Sequence, residues 1–486
     1  RWGVLAFAGT SLISTFTSLS PTASTWGLGG YYGGLMLVLF TAAGYWAVRS
    51  YLDLENLDFV FWVLGITTSI VAVLYVLNIF NIDLIGAYAD TAVVERAQFF
   101  STLGQKDFNG CFFSVALPIV FYQFLNAKDT RTAVWTGIPA AFGALALAVV
   151  DSEALALGIG AAVMVLVCHK NFTTRHLRRA ALISAAFFGW AAWMHYMRAS
   201  VYTQGGTALL AKLGAWQVAL PCMAASLLLW LVLFVLARKG IAAQAPLYLP
   251  GRVITIAVLA VGALAFVLAN AMPNRPLPES LHNLLVFNDD WGTYRGVAWR
   301  AAFGTWADGS LLRKIVGIGP GMMHTAVAAW AGDAMTARMA TFYAAHNEYL
   351  EQLLTTGILG LTAWLLLVAA HLQRGERSWN TPGVAPVMLA LCSYLAQAVV
   401  SIRVSMVFPL VMLLFGALAA LTAPELPQPA APALRGKKQQ KPEPLPPKNA
   451  WYFAKTVLAA VLCMAAASGI APLLLSLIHI SEPTRL

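Results

Sequence analysis

The chain has 486 residues, of which 59% are hydrophobic and only 11% are charged, and its mean hydropathy is +0.70. Soluble globular domains have roughly a quarter charged residues, so this composition excludes a soluble protein. The net charge of +10 lies largely in short basic loops and one basic linker, a distribution that indicates anionic lipid rather than nucleic acid as the partner.

Apolar segments recur along most of the chain. They have the roughly 20 residues that a membrane helix needs, and they are too long and too uniformly apolar for barrel strands. The sequence therefore predicts an all-α fold, a polytopic membrane bundle of about 13 spans. The predicted spans lie near 2–18, 33–49, 58–79, 110–126, 133–150, 154–168, 178–197, 215–237, 253–271, 350–371, 384–400, 404–422 and 452–473.

The predicted spans divide the chain into six parts. Residues 1–271 form an N-terminal transmembrane bundle, 272–349 a large extracytoplasmic loop with short amphipathic helices, and 350–422 the C-terminal transmembrane helices. A Pro- and Lys-rich cytoplasmic linker (423–450) and a last transmembrane helix (451–475) follow. The tail 476–486, "SLIHISEPTRL", is expected to derive from a sequencing adapter, and further sequence is expected before Arg1.

Lys and Arg in short loops indicate the orientation of the bundle. Alternating the spans places the basic loops 127–131, 169–179, 238–252 and 371–377 and the linker on one side, which the positive-inside rule identifies as cytoplasmic. The opposite, outer side then carries the side chains that are candidates for chemistry, namely Arg96, Arg295, Arg300 and His346.

The first outer motif is "VERAQFFSTLGQKDFNG" (94–110), which contains Arg96 and leads directly into a span. A guanidinium offers a planar fork of donors suited to phosphate, although an interfacial arginine that meets lipid headgroups is equally ordinary. Farther along, Asp151, Ser152 and Glu153 form a short outer turn. We expect that turn to be structural, or to rim the pocket without catalysing anything.

The outer loop contains "WGTYRGVAWRAAFGTWADGSLLRKIVGIGPGMM" (291–323). Arg295, Ala298 and Trp299 recur at helical spacing, which predicts an amphipathic helix along the membrane surface. Arg300 lies five residues from Arg295 and is expected to project to a different side. The glycine-rich segment 317–321 predicts a tight backbone turn.

The next span opens with "AAHNEYLEQLLTTGILGL" (344–361). His346 is predicted to begin a helical stripe with Tyr349, and a neutral imidazole is the usual general base near pH 7. The alternative is that Asn347 and Glu348 cap the helix while His346 and Tyr349 only meet the interface.

Together, the arginine motif before a span, "GTYRGVAWR…GIGPG" and "HNEYL…GILGL" resemble the O-antigen ligase and O-antigen polymerase superfamily over roughly residues 94–365. That resemblance implies a transferase on the outer face of the bacterial inner membrane. Such enzymes move a glycan from an undecaprenyl-pyrophosphate carrier to a lipid, glycan or protein acceptor. It further implies His346 as catalytic base and Arg295, Arg96 and Arg300 as pyrophosphate ligands. Asn347, Glu348 and Tyr349 would then support these residues without contacting the substrate.

The chemistry of the residues agrees with this resemblance. Guanidinium groups suit two phosphates, an imidazole suits an attacking hydroxyl, and no carboxylate cluster typical of a metal site is evident in the outer loop. We therefore expect a metal-independent reaction without cofactor. The alternative function is a polysaccharide or lipid-linked-sugar transporter or flippase, which would place ionisable groups in mid-span or show inverted repeats. Ligase and polymerase are not separated by the sequence.

Overall fold

The computed structural model describes residues 2–27, 31–52, 54–86, 100–200, 212–241, 243–272, 277–327 and 343–423. The regular structure in these ranges is helical, with two isolated bridges (Phe100–Gly104 and Thr173–Pro246) and no strand. The predicted all-α fold is thereby confirmed for the described part of the chain. The linker, the last predicted span, the tail and Arg96 lie outside it.

Sixteen named helices run through the described ranges. Those before the outer loop are α1 (Trp2–Phe16), α2 (Pro21–Trp26), α3 (Leu35–Tyr51), α4 (Leu54–Ile79), α5 (Lys106–Asn126), α6 (Thr130–Val149), α7 (Glu153–Cys168), α8 (Thr174–Ser200), α9 (Trp216–Arg238) and α10 (Tyr248–Ala271). The segment predicted to be the outer loop contributes α11 (Glu279–Leu285), α12 (Trp291–Ala307) and α13 (Leu311–Val316), and the C-terminal part contributes α14 (Glu348–Arg377), α15 (Val384–Gln397) and α16 (Phe408–Leu421).

Six segments in these ranges are long and apolar enough to cross a membrane: Asn56–Ile79, Lys106–Asn126, Thr130–Val149, Trp216–Arg238, Tyr248–Ala271 and Glu348–Arg377. Four shorter helices are also apolar, namely α1, α7, α15 and α16. Every predicted span that falls on described residues coincides with a helix. The chain is therefore a membrane-embedded helical protein, while the count of about 13 spans stays a prediction.

Burial separates a central helix from two peripheral ones. In α5, 78% of the apolar window is buried inside the protein, whereas the corresponding share is 6% in both α9 and α10. A helix that is apolar all round and unburied by protein suits a lipid environment. Helix α5 thus forms the middle of the bundle, and Asp107 in its first turn lies within electrostatic reach of His346.

The basic loops gather at one end of the bundle. Arg179 donates to the carbonyl oxygens of Phe124 and Leu125 at the C-terminal end of α5, at 3.0 and 3.1 Å, and Arg252 donates to that of Cys168 at the end of α7. A cation beside unsatisfied helix carbonyls is favourable because the helix dipole is negative there. Three of the loops predicted to be cytoplasmic, 127–131, 169–179 and 238–252, are therefore neighbours in space, as a shared side requires.

The predicted loop 371–377 is wrong. Helix α14 continues to Arg377, and the turn follows at 378–383, where Pro382 stands just past the C-cap Ser378. The polar run contains good helix formers, and His371 is buried between neighbouring helices. Its Nδ1 lies 2.7 Å from the carbonyl oxygen of Leu367 and its Nε2 lies 3.0 Å from the hydroxyl of Tyr45 in α3, so this histidine ties two helices together.

The segment 317–321 forms the predicted tight turn, with positive φ at Gly317, Gly319 and Gly321. It docks against a break in α14 at Gly357, whose φ is 68° and ψ −171°. The backbone amide of Gly319 donates to the carbonyl oxygen of Thr355 at 2.9 Å, so the outer turn supplies a bond that the broken helix lacks. A Cβ at Gly357 would overlap the carbonyl of Ile315, which explains glycine at this position.

Candidate functional site

His346 lies immediately before α14 rather than on it. Its φ is +50°, a left-handed conformation that is uncommon for histidine, and the helix begins at Glu348. The side chain of Asn347 caps the helix by accepting from the amides of Tyr349 and Leu350, both at 3.0 Å. The predicted stripe beginning at His346 is therefore wrong, because the cap at Asn347 redirects the chain. Asn347 has the capping role considered from the sequence.

The surroundings of His346 keep its imidazole neutral. Burial first, and then the positive charge of Arg295, lower the pKa of His346, while the negative charge of Asp107 on α5 acts in the opposite direction; the net result is a pKa of about 4. The structure thus brings His346 and Arg295 within electrostatic reach of each other. At pH 7 the imidazole is unprotonated, which is the state required of a general base.

Arg295 follows a sharp kink at the start of α12. Gly292, Thr293 and Tyr294 all have positive φ, and the Arg295 guanidinium folds back so that Nη1 donates to the carbonyl oxygen of Gly292 at 2.8 Å. Its side chain is 13% exposed, and the carboxylate of Glu153 lies 3.8 Å from Nη1. Among the described residues, the buried Nε of Arg295 has no hydrogen-bond partner. An unpaired buried donor costs free energy, and Nε could donate a hydrogen bond to an oxygen of a bound molecule.

Trp299 connects α12 to the histidine segment. It lies one turn after Arg295, and its indole Nε1 donates to the carbonyl oxygen of His346 at 3.3 Å. The Trp299 ring also packs against Trp291 and Phe287, with centroids 5.2 and 6.0 Å apart. The predicted helix is present, and its turn from Arg295 to Trp299 faces His346.

Arg300 belongs to a different surface. It forms an ion pair with Asp289, and its side chain is 56% exposed. Arg295 and Arg300 therefore contact different partners, as their spacing predicts, and Arg300 does not join His346 in the described structure. Arg96 falls outside the described residues, so its assignment as a pyrophosphate ligand stays a prediction, as does that of Arg300.

Glu348 is held by a buried network that reaches across to the loop between α15 and α16. Its carboxylate, with the residue only 2% exposed, accepts from Nε and Nη2 of Arg403 at 2.9 and 2.8 Å and from the hydroxyl of Tyr394 at 2.6 Å. Arg403 Nη2 also donates to Gln352 Oε1 at 2.8 Å. Glu348 therefore anchors the start of α14 through an ion pair, and its suggested capping role is wrong because the side chain turns inward to Arg403.

Aromatic rings surround the other faces of Arg403. Its guanidinium carbon lies 4.5 Å from the ring centroid of Phe408, 5.7 Å from that of Phe7 and 5.8 Å from that of Trp364. Such rings attract a cation through their negative faces. Nearby, the hydroxyl of Tyr349 donates to the carbonyl oxygen of Leu395 at 2.8 Å, so Tyr349 also supports the helix start rather than pointing at His346.

The outer turn before α7 lies at the rim of the same region. The hydroxyl of Ser152 donates to Asp107 at 2.8 Å, Asp151 lies 3.6 Å from Lys106 Nζ, and Glu153 faces Arg295. These contacts fit the rim position considered from the sequence, and the absence of a catalytic role stays a prediction.

Sequence reasoning missed Arg403. A usable signal was present, because Arg403 is the sole charged residue between positions 378 and 424 and lies on the predicted outer side, against the positive-inside bias. An arginine retained in such an apolar setting indicates a specific partner. The partner itself, Glu348, was not deducible because 55 residues separate the two along the chain.

Within the described ranges, no group of three or more His, Cys, Asp or Glu side chains is arranged to hold a metal ion. No family model and no curated protein matches the chain. The functional assignment consequently rests on the motifs and on the geometry around His346 and Arg295.

Proposed function

We propose that this chain is an integral-membrane glycan transferase of the O-antigen ligase or polymerase kind, acting on the outer face of the bacterial inner membrane. It transfers a glycan from an undecaprenyl-pyrophosphate carrier to an acceptor hydroxyl. The observation that supports this most is the pairing of a neutral His346 with Arg295, whose buried Nε has no partner among the described residues.

In the proposed reaction, His346 removes the proton from the acceptor hydroxyl. The acceptor oxygen bonds to the anomeric carbon of the donor sugar, while the bond between that carbon and the phosphate oxygen breaks. The electron pair of the broken bond remains on undecaprenyl pyrophosphate, whose growing negative charge is stabilised by Arg295. Direct displacement of this kind inverts the anomeric configuration.

The geometry supports this division of roles. The carboxylate of Glu153 lies 3.8 Å from Arg295 Nη1 and its side chain is 73% exposed, so water weakens this ion pair. Arg295 therefore retains capacity to donate hydrogen bonds to a phosphate. Trp299, one turn along α12, holds the backbone of His346. A single helix thus positions a phosphate ligand and steadies the base.

The transport alternative predicts ionisable groups in mid-span. His371 is a buried ionisable group near the C-terminal end of α14, and both of its ring nitrogens have partners, the carbonyl of Leu367 and the hydroxyl of Tyr45. Its ring also lies against that of Phe415, with centroids 5.3 Å apart. These contacts favour a structural tie between helices over a proton-carrying role for His371.

The proposal is tested with the purified full chain in proteoliposomes that contain an undecaprenyl-pyrophosphate glycan and a soluble acceptor. We expect glycosylated acceptor and free undecaprenyl pyrophosphate to form in equal amounts. Arg295→Ala should weaken donor binding about ten- to a hundredfold, since one charge-assisted hydrogen bond is worth about 1.5–3 kcal/mol. Movement of intact donor across the bilayer without transfer would favour the flippase alternative instead.

A further inference from the structure

The start of α10 crosses the end of α7 closely, on the side of the bundle predicted to be cytoplasmic. A Cβ at Gly251 would overlap the carbonyl of Val167, so glycine allows the two backbones to touch. Arg252 follows, and its Nε donates to the carbonyl oxygen of Cys168 at 3.0 Å. Its guanidinium carbon also lies 5.2 Å from the ring centroid of Tyr248. The α7–α10 junction, formed by these contacts, therefore holds one guanidinium in a defined position.

Arg252 keeps unused donor capacity at the α7–α10 junction. The residue is exposed, and its Nη1 and Nη2 groups have no hydrogen-bond acceptor among the described residues. A guanidinium whose two outer nitrogens are free can donate to two oxygens of one phosphate group, and its planar fork matches that geometry. The arginine is thus fixed through one nitrogen and open to an anion through the other two.

Lys170 adds a second positive charge beside Arg252. It is exposed and lies two residues after the carbonyl that holds Arg252. Burial is the main cause that lowers the pKa of His169; the charge of Glu376 opposes it, and those of Lys170 and Arg252 add to it. Both cations are therefore within electrostatic reach of one imidazole. Glu376 lies 4.0 Å from His169 Nε2 and is 63% exposed, so water screens the one carboxylate and positive charge remains in excess.

Backbone hydrogen bonds fix the loops that carry these two cations. The amide of Thr174 donates to the carbonyl oxygen of Ala245 at 3.0 Å, and the amide of Leu247 donates to that of Phe172 at 2.9 Å. The α7–α8 loop and the α9–α10 loop are thereby joined side by side. The positive charges are held together before any anion binds, which lowers the cost of ordering them on binding.

An apolar stripe runs along α10 from Arg252. Ile256 and Leu259 follow it at i+4 and i+7, so the three residues share one face of the helix. Ile256 is 67% exposed and Leu259 is 57% exposed, and only 6% of the apolar window of α10 is buried inside the protein. In a membrane such a face contacts acyl chains. The junction thus combines an anion-binding end with a hydrocarbon-facing surface.

We propose that the α7–α10 junction binds an anionic phospholipid, whose phosphate accepts from Arg252 beside the charge of Lys170 while an acyl chain lies along Ile256 and Leu259. The occupant is a lipid rather than a soluble anion because the cations border an apolar surface that the protein leaves uncovered. The site lies away from His346 and does not depend on the transfer reaction.

Native mass spectrometry of the purified full chain in detergent tests this site. The chain is titrated with dioleoyl phosphatidylglycerol and, separately, with dioleoyl phosphatidylcholine. We expect the anionic lipid to bind about tenfold more tightly. Arg252→Gln and Lys170→Gln should each weaken its binding about fivefold, the effect expected of one cation close to a lipid phosphate. Lys170→Gln leaves the bond between Arg252 and Cys168 in place, so it reports on binding even if Arg252→Gln disturbs α10.

Arg238→Gln is the matched control. Arg238 ends α9, whose apolar window is also 6% buried, and its guanidinium carbon likewise lies 5.2 Å from an aromatic centroid, that of Phe234. It has no hydrogen bond to a neighbouring helix among the described residues, so Arg238→Gln should bind the anionic lipid within about twofold of wild type. Equal affinity of the wild type for both lipids, unchanged binding in Lys170→Gln, or an equal loss in Arg238→Gln would overturn the proposal. Displacement of the lipid by an equal concentration of inorganic phosphate would also overturn it.

Discussion

Replacing Arg403 by methionine should destabilise the protein strongly. Methionine keeps much of the aliphatic length but leaves the Glu348 carboxylate, 2% exposed, with Tyr394 as its remaining described side-chain donor. Removing one member of a buried ion pair typically costs about 3–5 kcal/mol, because the other charge stays buried without its partner. The contacts with Phe7, Trp364 and Phe408 are also altered, so we expect a loss in the upper half of that range.

The free energy of unfolding is measured by SDS titration of the purified chain in mixed micelles. Arg300→Met serves as the matched control because Arg300 pairs with Asp289 while 56% exposed, and such a surface pair contributes about 0–1 kcal/mol. The double variant Arg403→Met/Glu348→Gln should recover part of the loss, since the orphaned charge is removed. A cost for Arg403→Met no larger than for Arg300→Met would refute the reasoning.

The remaining predictions concern His346, Arg295 and Asn347. The acid limb of kcat/KM should lie near pH 4 rather than 6.5, because the pKa of His346 is lowered to about 4 and only the neutral ring accepts a proton. The apparent pKa in the kcat profile should be higher than that in the kcat/KM profile, since bound pyrophosphate offsets the charge of Arg295. Arg295→Gln should raise the apparent pKa in the kcat/KM profile for the same reason. An apparent pKa of 6.5 in the kcat/KM profile of the wild type would contradict this assignment. Arg295→Lys should still lose roughly tenfold or more in kcat/KM, because lysine lacks the planar fork, and wild-type turnover would contradict it. Asn347→Ala should cost about 1 kcal/mol in SDS-titrated unfolding through loss of the N-cap, and an unchanged midpoint would count against that role.

The helical architecture was predictable because membrane helices follow from local composition. A run of about 20 apolar residues has few alternatives in lipid, so every predicted span on described residues coincides with a helix. The ends of the helices were less predictable, since a polar sequence alone does not end a helix. The stretch 371–377 is polar yet helical, because His371 is buried against Tyr45 and the chain turns only before Pro382.

The candidate site was predictable in part. A shared site for Arg295 and His346 was implied by the resemblance to the ligase and polymerase superfamily. The left-handed conformation of His346 was not expected, because it follows from the cap at Asn347 and the helix start at Glu348. The pairing of Glu348 with Arg403 depends on how α14 and α15 pack. No local pattern encodes a contact between two segments so far apart in the chain.

Single-turnover transfer by His346→Ala tests the proposed role of His346 as general base most directly. The purified variant is saturated with undecaprenyl-pyrophosphate glycan in proteoliposomes, acceptor is added, and bound donor and product are followed over time, with His282→Ala on α11 as the matched histidine control. We expect His346→Ala to bind donor as wild type does while product formation falls at least about a hundredfold, the typical contribution of a general base, and His282→Ala to remain active. Product formation by His346→Ala at the wild-type rate would contradict the assignment of His346 as the base.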